Sequence, residues 1–359
     1  MKQDRGANHK NVRKKIVNRR GGVELLRFVL IFTIIWQHSL SPWVSQSGIF
    51  FPIGVTTFFL ITGWFSLSLT KSRFLKMLVT TVIYTIIGFV LYIIFYYVGL
   101  NDYNPFNIFT DGSFLSDKLT SWWFLYIMLA LTLIAPLLNK IFTKINKWYS
   151  LAVVIVFWLV IFFWQNEEKS WNIFHYLNLY WIARACMIYL IGAWASLYLF
   201  NSLKKYKTIS ILACLFLVIS FILLCVFHNH IYIENPNINF QLVNVCFDIS
   251  ALNLLTGLSL IVLFSFLKTE KFKILNNASL FLGKITLPMY LFHGLCYCVI
   301  VKFCPWSTAD NSIFCIWITT YISAIAFASL IAYPIDWLNV NVYNWILLKF
   351  NKLNIPAIT

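Results

Sequence analysis

The sequence is poor in charged residues, and above all in acidic ones. Only 11% of its 359 residues are charged, and Asp and Glu together number 12. Soluble domains average about 25% charged residues, whereas this chain is 60% hydrophobic. This composition excludes a soluble all-α protein, which would need polar helix faces, and indicates a protein that crosses a membrane several times. The scarcity of carboxylates in the apolar runs also disfavours a proton-driven pump, because such a pump relies on intramembrane acidic side chains.

Other common features are missing as well. None of the eight cysteines forms a CxxC pair, and no histidine spacing completes a zinc site. We therefore expect no metal and no tightly bound cofactor. The first 22 residues lack the apolar segment of a cleavable signal peptide. The sequence shows neither an inverted nor a parallel repeat, although many transporters are built from such repeats.

The chain does contain a series of apolar runs, each long enough for a membrane-spanning helix. We predict ten spans in an all-α transmembrane bundle. They lie near residues 23–42, 49–69, 74–99, 119–139, 148–165, 173–200, 208–228, 240–267, 279–303 and 312–339. The predicted organisation is a basic cytosolic tail over residues 1–22, a transmembrane domain over 23–340 and a short cytosolic C-terminal tail over 341–359.

The basic residues are distributed unevenly between alternate connections. The two tails and four alternate connections hold 22 Lys and Arg residues, whereas the opposite connections hold only Lys118, Lys169 and Lys302. The positive-inside rule therefore places both termini in the cytosol. The net charge of +16 reflects topology in a bilayer, and no nucleic-acid partner is predicted. We expect a multi-pass protein of a bacterial cell membrane.

Arg27 and His38 lie within the first apolar run, VELLRFVLIFTIIWQHSL. A charged side chain in hydrocarbon costs about 2.5–3.5 kcal/mol on insertion scales, so such residues are candidates for function. At about 1.5 Å per residue, the two are about 16 Å apart along one helix, with Arg27 toward the cytosol. Glu24 precedes Arg27 by three residues and can pair with it. The alternative interpretations are interfacial snorkelling for Glu24 and Arg27 and interhelical hydrogen bonding for His38.

A second basic group begins the third predicted span. Arg73 and Lys76 are three residues apart in KSRFLKML and lie on one helix face. Because a guanidinium group binds phosphate in a planar, bidentate way, these residues together with Arg27 would form a cationic pocket for a phosphorylated cytosolic ligand. Ordinary positive-inside charge is the alternative interpretation.

Polar residues also occur late in the chain. His293 lies about midway along the ninth predicted span, in KITLPMYLFHG, and Tyr290 precedes it by three residues on the same helix face. Pro288 should loosen this helix and free backbone carbonyls where a cavity can form. Arg184 and Asp248 have similar outer depths on the sixth and eighth spans, where we expect a structural ion pair.

The ordered set of segments resembles acyltransferase family 3, a family of integral membrane acyltransferases. Arg27 and His38 match the Arg-x10-His pattern of the family, and Arg73 and Lys76 match its Arg-x-x-Arg motif. The segment GVTTFFLITGWF resembles the phenylalanine-rich second span, SWWFLYIMLALTLIAPLL the Trp-Phe-Leu span, and ITLPMYLFHG the late Tyr-Leu-x-His segment. The likeness covers most of the chain in the order and with the ten-span count of the family.

Two departures from the family pattern stand out. Thr62 replaces the serine of a Ser-Gly pair, and Lys76 keeps the charge of the second arginine but not its planar fork. The second departure affects the contact expected with the donor rather than the class of reaction.

The resemblance implies transfer of an acyl group, commonly acetyl from acetyl-CoA, to a hydroxyl of a carbohydrate or lipid-linked glycan. The residues implied are His38, Arg27 and Glu24 for catalysis, Arg73, Lys76 and Arg27 for donor binding, and Tyr290, His293 and Trp123 for substrate binding. A sugar hydroxyl attacks a thioester poorly unless a base removes its proton, and histidine suits that role at neutral pH. Direct transfer and an acyl-histidine intermediate are both compatible with this pattern.

Two other functions fit parts of the sequence. In a transporter of a glycan or small molecule, Arg27, His38, Asp248 and His293 would line a pathway. Dependence on CoA distinguishes that function from acyl transfer. A glycan polymerase is disfavoured, because the connections predicted to be external contain almost no arginine.

Overall fold

The computed structural model describes residues 21–39, 52–65, 71–100, 122–142, 144–167, 179–234, 250–303 and 313–352. The backbone alone is described at several helix ends, namely residues 36–39, 52, 71–74, 122–123, 164–167, 179, 225–234, 313–317 and 347–352. Every regular element in these ranges is a helix. This part of the chain therefore has the predicted all-α architecture.

Ten long helices follow one another along these ranges. They are α1 (Gly21–Ser39), α2 (Pro52–Phe65), α3 (Lys71–Tyr97), α4 (Trp122–Phe142), α5 (Lys147–Glu167), α6 (Leu179–Trp194), α7 (Lys207–Glu234), α8 (Ala251–Phe266), α9 (Lys273–Phe303) and α10 (Ile313–Lys352). Helix α6 continues through a π-helical turn, Ala195–Leu199, into a short helix, Phe200–Lys205. A 3-10 turn, Thr269–Lys271, separates α8 from α9. Each predicted span overlaps one of these helices.

The surface of the helices has the character expected of a protein in lipid. Seven helices in the described ranges are long and apolar enough to cross a membrane, and the apolar parts of α2 and α5 are shorter. Large apolar side chains such as Ile86, Leu137, Phe216 and Leu330 are exposed. In α7, only 17% of the apolar segment Lys207–Leu224 is buried. In water such a surface would be unfavourable, so the chain forms a multi-pass bundle of membrane helices.

The last helix is longer than the sequence pattern indicates. The apolar pattern predicts a span near 312–339, whereas α10 has 40 residues and continues to Lys352. At about 1.5 Å per residue it is about 60 Å long, twice the thickness of a hydrocarbon core. No glycine or proline occurs between Pro334 and Pro356 to stop it. The predicted C-terminal tail therefore begins as a helix.

The helices form two compact units. The chain passes between them after Ser68, after Leu133 and after Thr286. The first unit contains α1, α2, α5 to α8, the end of α4 and the beginning of α9. The second contains α3, α10, the beginning of α4 and the remainder of α9.

Two glycines bring α2 against α6 in the first unit. A Cβ atom on Gly63 would collide with the carbonyl oxygen of Tyr189 and would lie 2.8 Å from its carbonyl carbon. A Cβ atom on Gly192 would likewise collide with the carbonyl oxygen of Leu60. The two backbones are therefore in direct contact, as at the small-residue crossings of membrane helices. Gly63, the glycine of the second-span motif, is a packing residue.

Helix α2 also contacts α8 and α1. A Cβ atom on Gly257 of α8 would lie 2.7 Å from Oγ1 of Thr57, which is fully buried. A Cβ atom on Gly54 would lie 2.6 Å from Cγ1 of Ile34 in α1. Because α2 is enclosed by α1, α6 and α8, it holds the first helix and its polar residues in the interior of the first unit.

A buried hydrogen bond ties α4 to α6. The Tyr189 hydroxyl donates to Oδ1 of Asn139 at 2.9 Å, and both side chains are buried. In α8, the hydroxyls of Thr256 and Ser259 donate at 2.8 Å to carbonyls one turn earlier. An unsatisfied polar group in hydrocarbon costs several kcal/mol. These bonds therefore let polar side chains lie between membrane helices.

In the second unit, α3 ends in a Schellman motif. Gly99 has φ of 70°, a left-handed conformation that suits glycine. The N–H of Leu100 donates to the Phe95 carbonyl at 2.8 Å, and that of Gly99 donates to the Tyr96 carbonyl at 3.0 Å. Lys302 of α9 donates to the Gly99 carbonyl. One of the few basic residues outside the predicted cytosolic side thus caps a helix C-terminus.

Candidate functional site

Glu24 and Arg27 form an ion pair in the first two turns of α1. Nη1 of Arg27 lies 3.2 Å from both Oε1 and Oε2 of Glu24. The carboxylate side chain is 5% exposed and the arginine side chain 26% exposed. The i, i+3 spacing predicts this contact, and the pairing offsets the cost of burying the carboxylate. Glu24 therefore holds Arg27 from the buried side, and the other side of the arginine side chain is exposed.

The pair leaves part of the guanidinium group unused. Both hydrogen bonds from Arg27 to Glu24 come from one nitrogen, although a guanidinium has five N–H donors. Among the described residues, Nε of Arg27 has no hydrogen-bond partner. That nitrogen is buried, so an anionic group that approaches the exposed side of Arg27 would meet the Nη donors instead.

Glu24 rests directly against the backbone of α9. A Cβ atom on Gly283 would collide with Oε2 of Glu24 and would lie 2.8 Å from its Cβ and 3.0 Å from its Cδ. The carboxylate therefore occupies the space that any side chain at position 283 would fill.

The beginning of α1 is fixed by two further glycines. A Cβ atom on Gly21 would collide with Oγ1 of Thr269 and would lie 2.8 Å from Oδ1 of Asn276. A Cβ atom on Gly22 would collide with the carbonyl oxygen of Phe264. The end of α8, the 3-10 turn and the first turn of α9 thus hold the N-terminus of the helix that carries the ion pair.

Position 38 lies on the same stripe of α1 as position 27. Eleven residues correspond to about three helical turns, so the two positions are nearly in register. Ile31, Ile34 and Ile35, which lie between them, are at most 1% exposed. These three isoleucines therefore pack in the interior of the first unit. The side chain of His38 is outside the described residues.

The second basic group begins α3. Lys76 is exposed, and its Nζ lies 5.9 Å from the ring centroid of Tyr343 in α10. This distance permits a cation–π interaction. The backbone at Arg73 is helical, and its side chain is outside the described residues. Arg27 belongs to the first unit and Lys76 to the second, so a ligand shared by them stays a prediction.

Tyr290 and His293 meet in the part of α9 that belongs to the second unit. Both are 3% exposed, and Nδ1 of His293 lies 2.6 Å from the Tyr290 carbonyl oxygen. A carbonyl oxygen only accepts hydrogen bonds, so Nδ1 is the donor in this contact, and when the ring is neutral Nε2 carries the lone pair. Nε2 is therefore the nitrogen of His293 that is suited to accept a hydrogen bond or a proton.

An aromatic ring packs against Tyr290. The rings of Phe124 and Tyr290 have centroids 4.9 Å apart. Trp123 precedes Phe124 at the beginning of α4, and its side chain is outside the described residues. The predicted substrate-binding residues therefore include one observed contact, between Tyr290 and His293.

Arg184 is a buried cation in α6. It is 4% exposed, and its guanidinium carbon lies 4.4 Å from the ring centroid of Trp181. Asp248, its predicted partner, is outside the described residues. The cation–π contact is consistent with a structural role for Arg184 in the first unit.

Most of the sequence matches a family of known proteins. A family model described as an acyltransferase domain, that of acyltransferase family 3, matches residues 20–337. The chain belongs to acyltransferase family 3. No curated protein and no solved structure matches it.

Membership establishes the general activity. As a family 3 acyltransferase, the protein is a membrane-bound enzyme that transfers acyl groups. This favours acyl transfer over transport. The matched region includes every residue that the sequence motifs single out, from Glu24 to His293.

Two contacts of the acyltransferase were not anticipated from its sequence. The Glu24–Gly283 contact joins residues far apart in the chain, and a single glycine in an apolar run gives no local signal of such a contact. Tyr343 lies in a segment expected to be a tail, and an aromatic residue there suggests interfacial anchoring first. Both contacts depend on how the helices pack against one another, which the local sequence pattern does not indicate.

Proposed function

We propose that this acyltransferase moves an acetyl group from acetyl-CoA to a hydroxyl of a cell-surface or lipid-linked polysaccharide. The observation that carries the proposal is the Glu24–Arg27 pair on α1, with its partly exposed guanidinium. His38 follows Arg27 by eleven residues, about three turns, on the same helix. This arrangement offers an anion-binding group and a base on a single helix. Acetyl-CoA is a substrate in this proposal, and no tightly bound cofactor is required.

Arg27, Arg73 and Lys76 bind the phosphates of the donor. Arginine contacts phosphate through its planar fork, and lysine contacts it as a point charge. Glu24 acts by holding Arg27. The pantetheine arm then extends along α1 toward His38, about 16 Å further at about 1.5 Å per residue.

His38 acts as the general base. It takes the proton of the acceptor hydroxyl while the hydroxyl oxygen attacks the thioester carbonyl carbon. The C–S bond then breaks, the acetyl group stays on the oxygen, and the CoA thiolate receives the proton from the imidazolium. Tyr290, His293 and Trp123 bind the acceptor, with Nε2 of His293 accepting a hydrogen bond from a sugar hydroxyl.

The proposed topology follows from the charge distribution. The acyltransferase has ten spans, with both termini in the cytosol of a bacterial cell. Residues 1–22 form a basic tail near anionic lipid, residues 23–340 form the transmembrane domain, and 341–359 form the C-terminal tail. Donor and acceptor thus reach α1 from opposite sides of the membrane.

The test is acetyl transfer by purified protein in lipid nanodiscs. The substrates are labelled acetyl-CoA and a polysaccharide extracted from cells lacking the enzyme. The acetyl-CoA should be consumed, free CoA should be released, and the mass of the polysaccharide should increase by one acetyl group. His38→Ala should abolish all three while leaving membrane expression intact. Undiminished transfer by His38→Ala would refute the proposed base, and CoA release without a change in glycan mass would refute the proposed acceptor.

A further inference from the structure

Gly283 faces the ion pair of the proposed donor site from another helix. It lies in α9, far from α1 in sequence, and the space where its Cβ atom would stand is occupied by the Glu24 side chain. A Cβ atom at position 283 would approach three atoms of that side chain, among them Cβ at 2.8 Å and Cδ at 3.0 Å. Real Cβ atoms show essentially no contacts under 3.0 Å, so one or both helices must shift or the carboxylate must leave its place.

The position of the carboxylate determines the position of Arg27. Glu24 contributes both hydrogen bonds that the guanidinium makes among the described residues. The two side chains start one helical turn apart, so a displaced carboxylate carries the guanidinium with it or releases it. A freed arginine side chain has many rotamers, and ordering it again on ligand binding costs entropy.

We propose that Gly283 is a positioning residue for donor binding. Because it has no side chain, it leaves a space, here called the seat, in which Glu24 lies and holds Arg27 toward the cytosolic ligand. This inference rests on the proposed donor role of Arg27. It extends the donor site to α9, a helix on which the sequence motifs indicate only acceptor residues.

The test is the variant Gly283→Ala, with Gly294→Ala as its control. Both changes place one methyl group on α9, but a Cβ atom at position 294 would meet nothing within 4 Å. We expect Gly283→Ala to raise KM for acetyl-CoA about tenfold, the effect of losing one charge-assisted contact. Its kcat should change less than twofold, and Gly294→Ala should leave both constants unchanged.

A double-mutant cycle with Arg27→Ala distinguishes positioning from general damage. If Gly283 acts through Arg27, Gly283→Ala should add nothing to the KM of Arg27→Ala. Full additivity of the two effects would overturn the proposal. An unchanged KM in Arg27→Ala alone would instead refute the donor role of Arg27, independently of the result at Gly283.

A swap variant covers the case in which Gly283→Ala fails to fold. Glu24→Gly combined with Gly283→Ala removes the clash but also the carboxylate. This double variant should be monodisperse in detergent like the wild type and should keep the raised KM, because nothing holds Arg27. A double variant that is as poorly folded as Gly283→Ala, or one with normal KM, would overturn the proposed seat.

Discussion

Tyr189 donates its buried hydroxyl to Oδ1 of Asn139 at 2.9 Å, and its backbone carbonyl faces Gly63. One residue of α6 therefore joins α4 by a hydrogen bond and α2 by close backbone packing. We expect these contacts to determine stability rather than activity, because none of these three residues belongs to the proposed acyl-transfer residues.

Tyr189→Phe should lower the free energy of unfolding by about 0.5–1.5 kcal/mol, because it removes a buried hydrogen bond to Asn139. The loss should appear in thermal or denaturant unfolding of the purified protein in detergent. Tyr206→Phe removes a hydroxyl from an exposed residue and is the matched control. Equal stability of the two variants would contradict a stabilising role for the buried bond.

Gly63→Ala should be severely destabilising, because the added methyl group meets the Tyr189 carbonyl oxygen. Overpacking in a rigid core costs about 1–3 kcal/mol or more. Thr62→Ser, which restores the Ser-Gly pair of the family, should be close to neutral, because a serine hydroxyl can replace the bond from Thr62 to the Phe58 carbonyl. Yield and thermal stability of the two variants measure the difference, and a well-folded Gly63→Ala would disprove the close crossing.

His293→Gln and His293→Asn distinguish the two ring nitrogens. The glutamine amide reaches the position of Nε2, and the asparagine amide reaches only that of Nδ1. Because Nδ1 is engaged by the Tyr290 carbonyl, we expect Gln to retain more acetyl transfer than Asn. The loss in Asn should appear mainly as a raised KM for the acceptor. The opposite order would mean that His293 acts only through its contact with Tyr290.

Lys76→Arg should improve donor binding. It restores the planar fork of the Arg-x-x-Arg motif and can stack on Tyr343. We therefore expect KM for acetyl-CoA to fall about threefold, and to rise less at high salt than the KM of the wild type does. Lys76→Ala should raise KM. Lys144→Ala, at another exposed lysine predicted to be cytosolic, is the control. Equal effects of Lys76→Ala and Lys144→Ala would indicate a general charge effect.

Helix existence could be predicted from the sequence because it depends on local apolar runs. Each of the ten predicted spans overlaps a helix, and the Glu24–Arg27 pair follows from i, i+3 spacing within one helix. Helix α10 continues more than three turns beyond the end of the predicted span. The apolar pattern marks where hydrophobicity falls rather than where a helix stops. Without a glycine or proline after Pro334, the backbone continues.

Contacts between helices could not be predicted from the sequence. Gly283, Gly192 and Gly257 each lie against another helix, yet a glycine in an apolar run has the same local pattern whether it faces lipid or a neighbour. Gly294 shows this on the same helix as Gly283, because its Cβ direction is open. Which glycine is a contact depends on helix rotation and crossing, which only the assembled bundle fixes.

Three contacts with other helices fix the rotation of α1 within the first unit. Gly22 is fixed against Phe264 and Glu24 against Gly283, while Ile34 is fixed against Gly54. Turning α1 by even one residue would break all three contacts at once. This packing therefore holds the helix that carries the proposed base against rotation about its own axis.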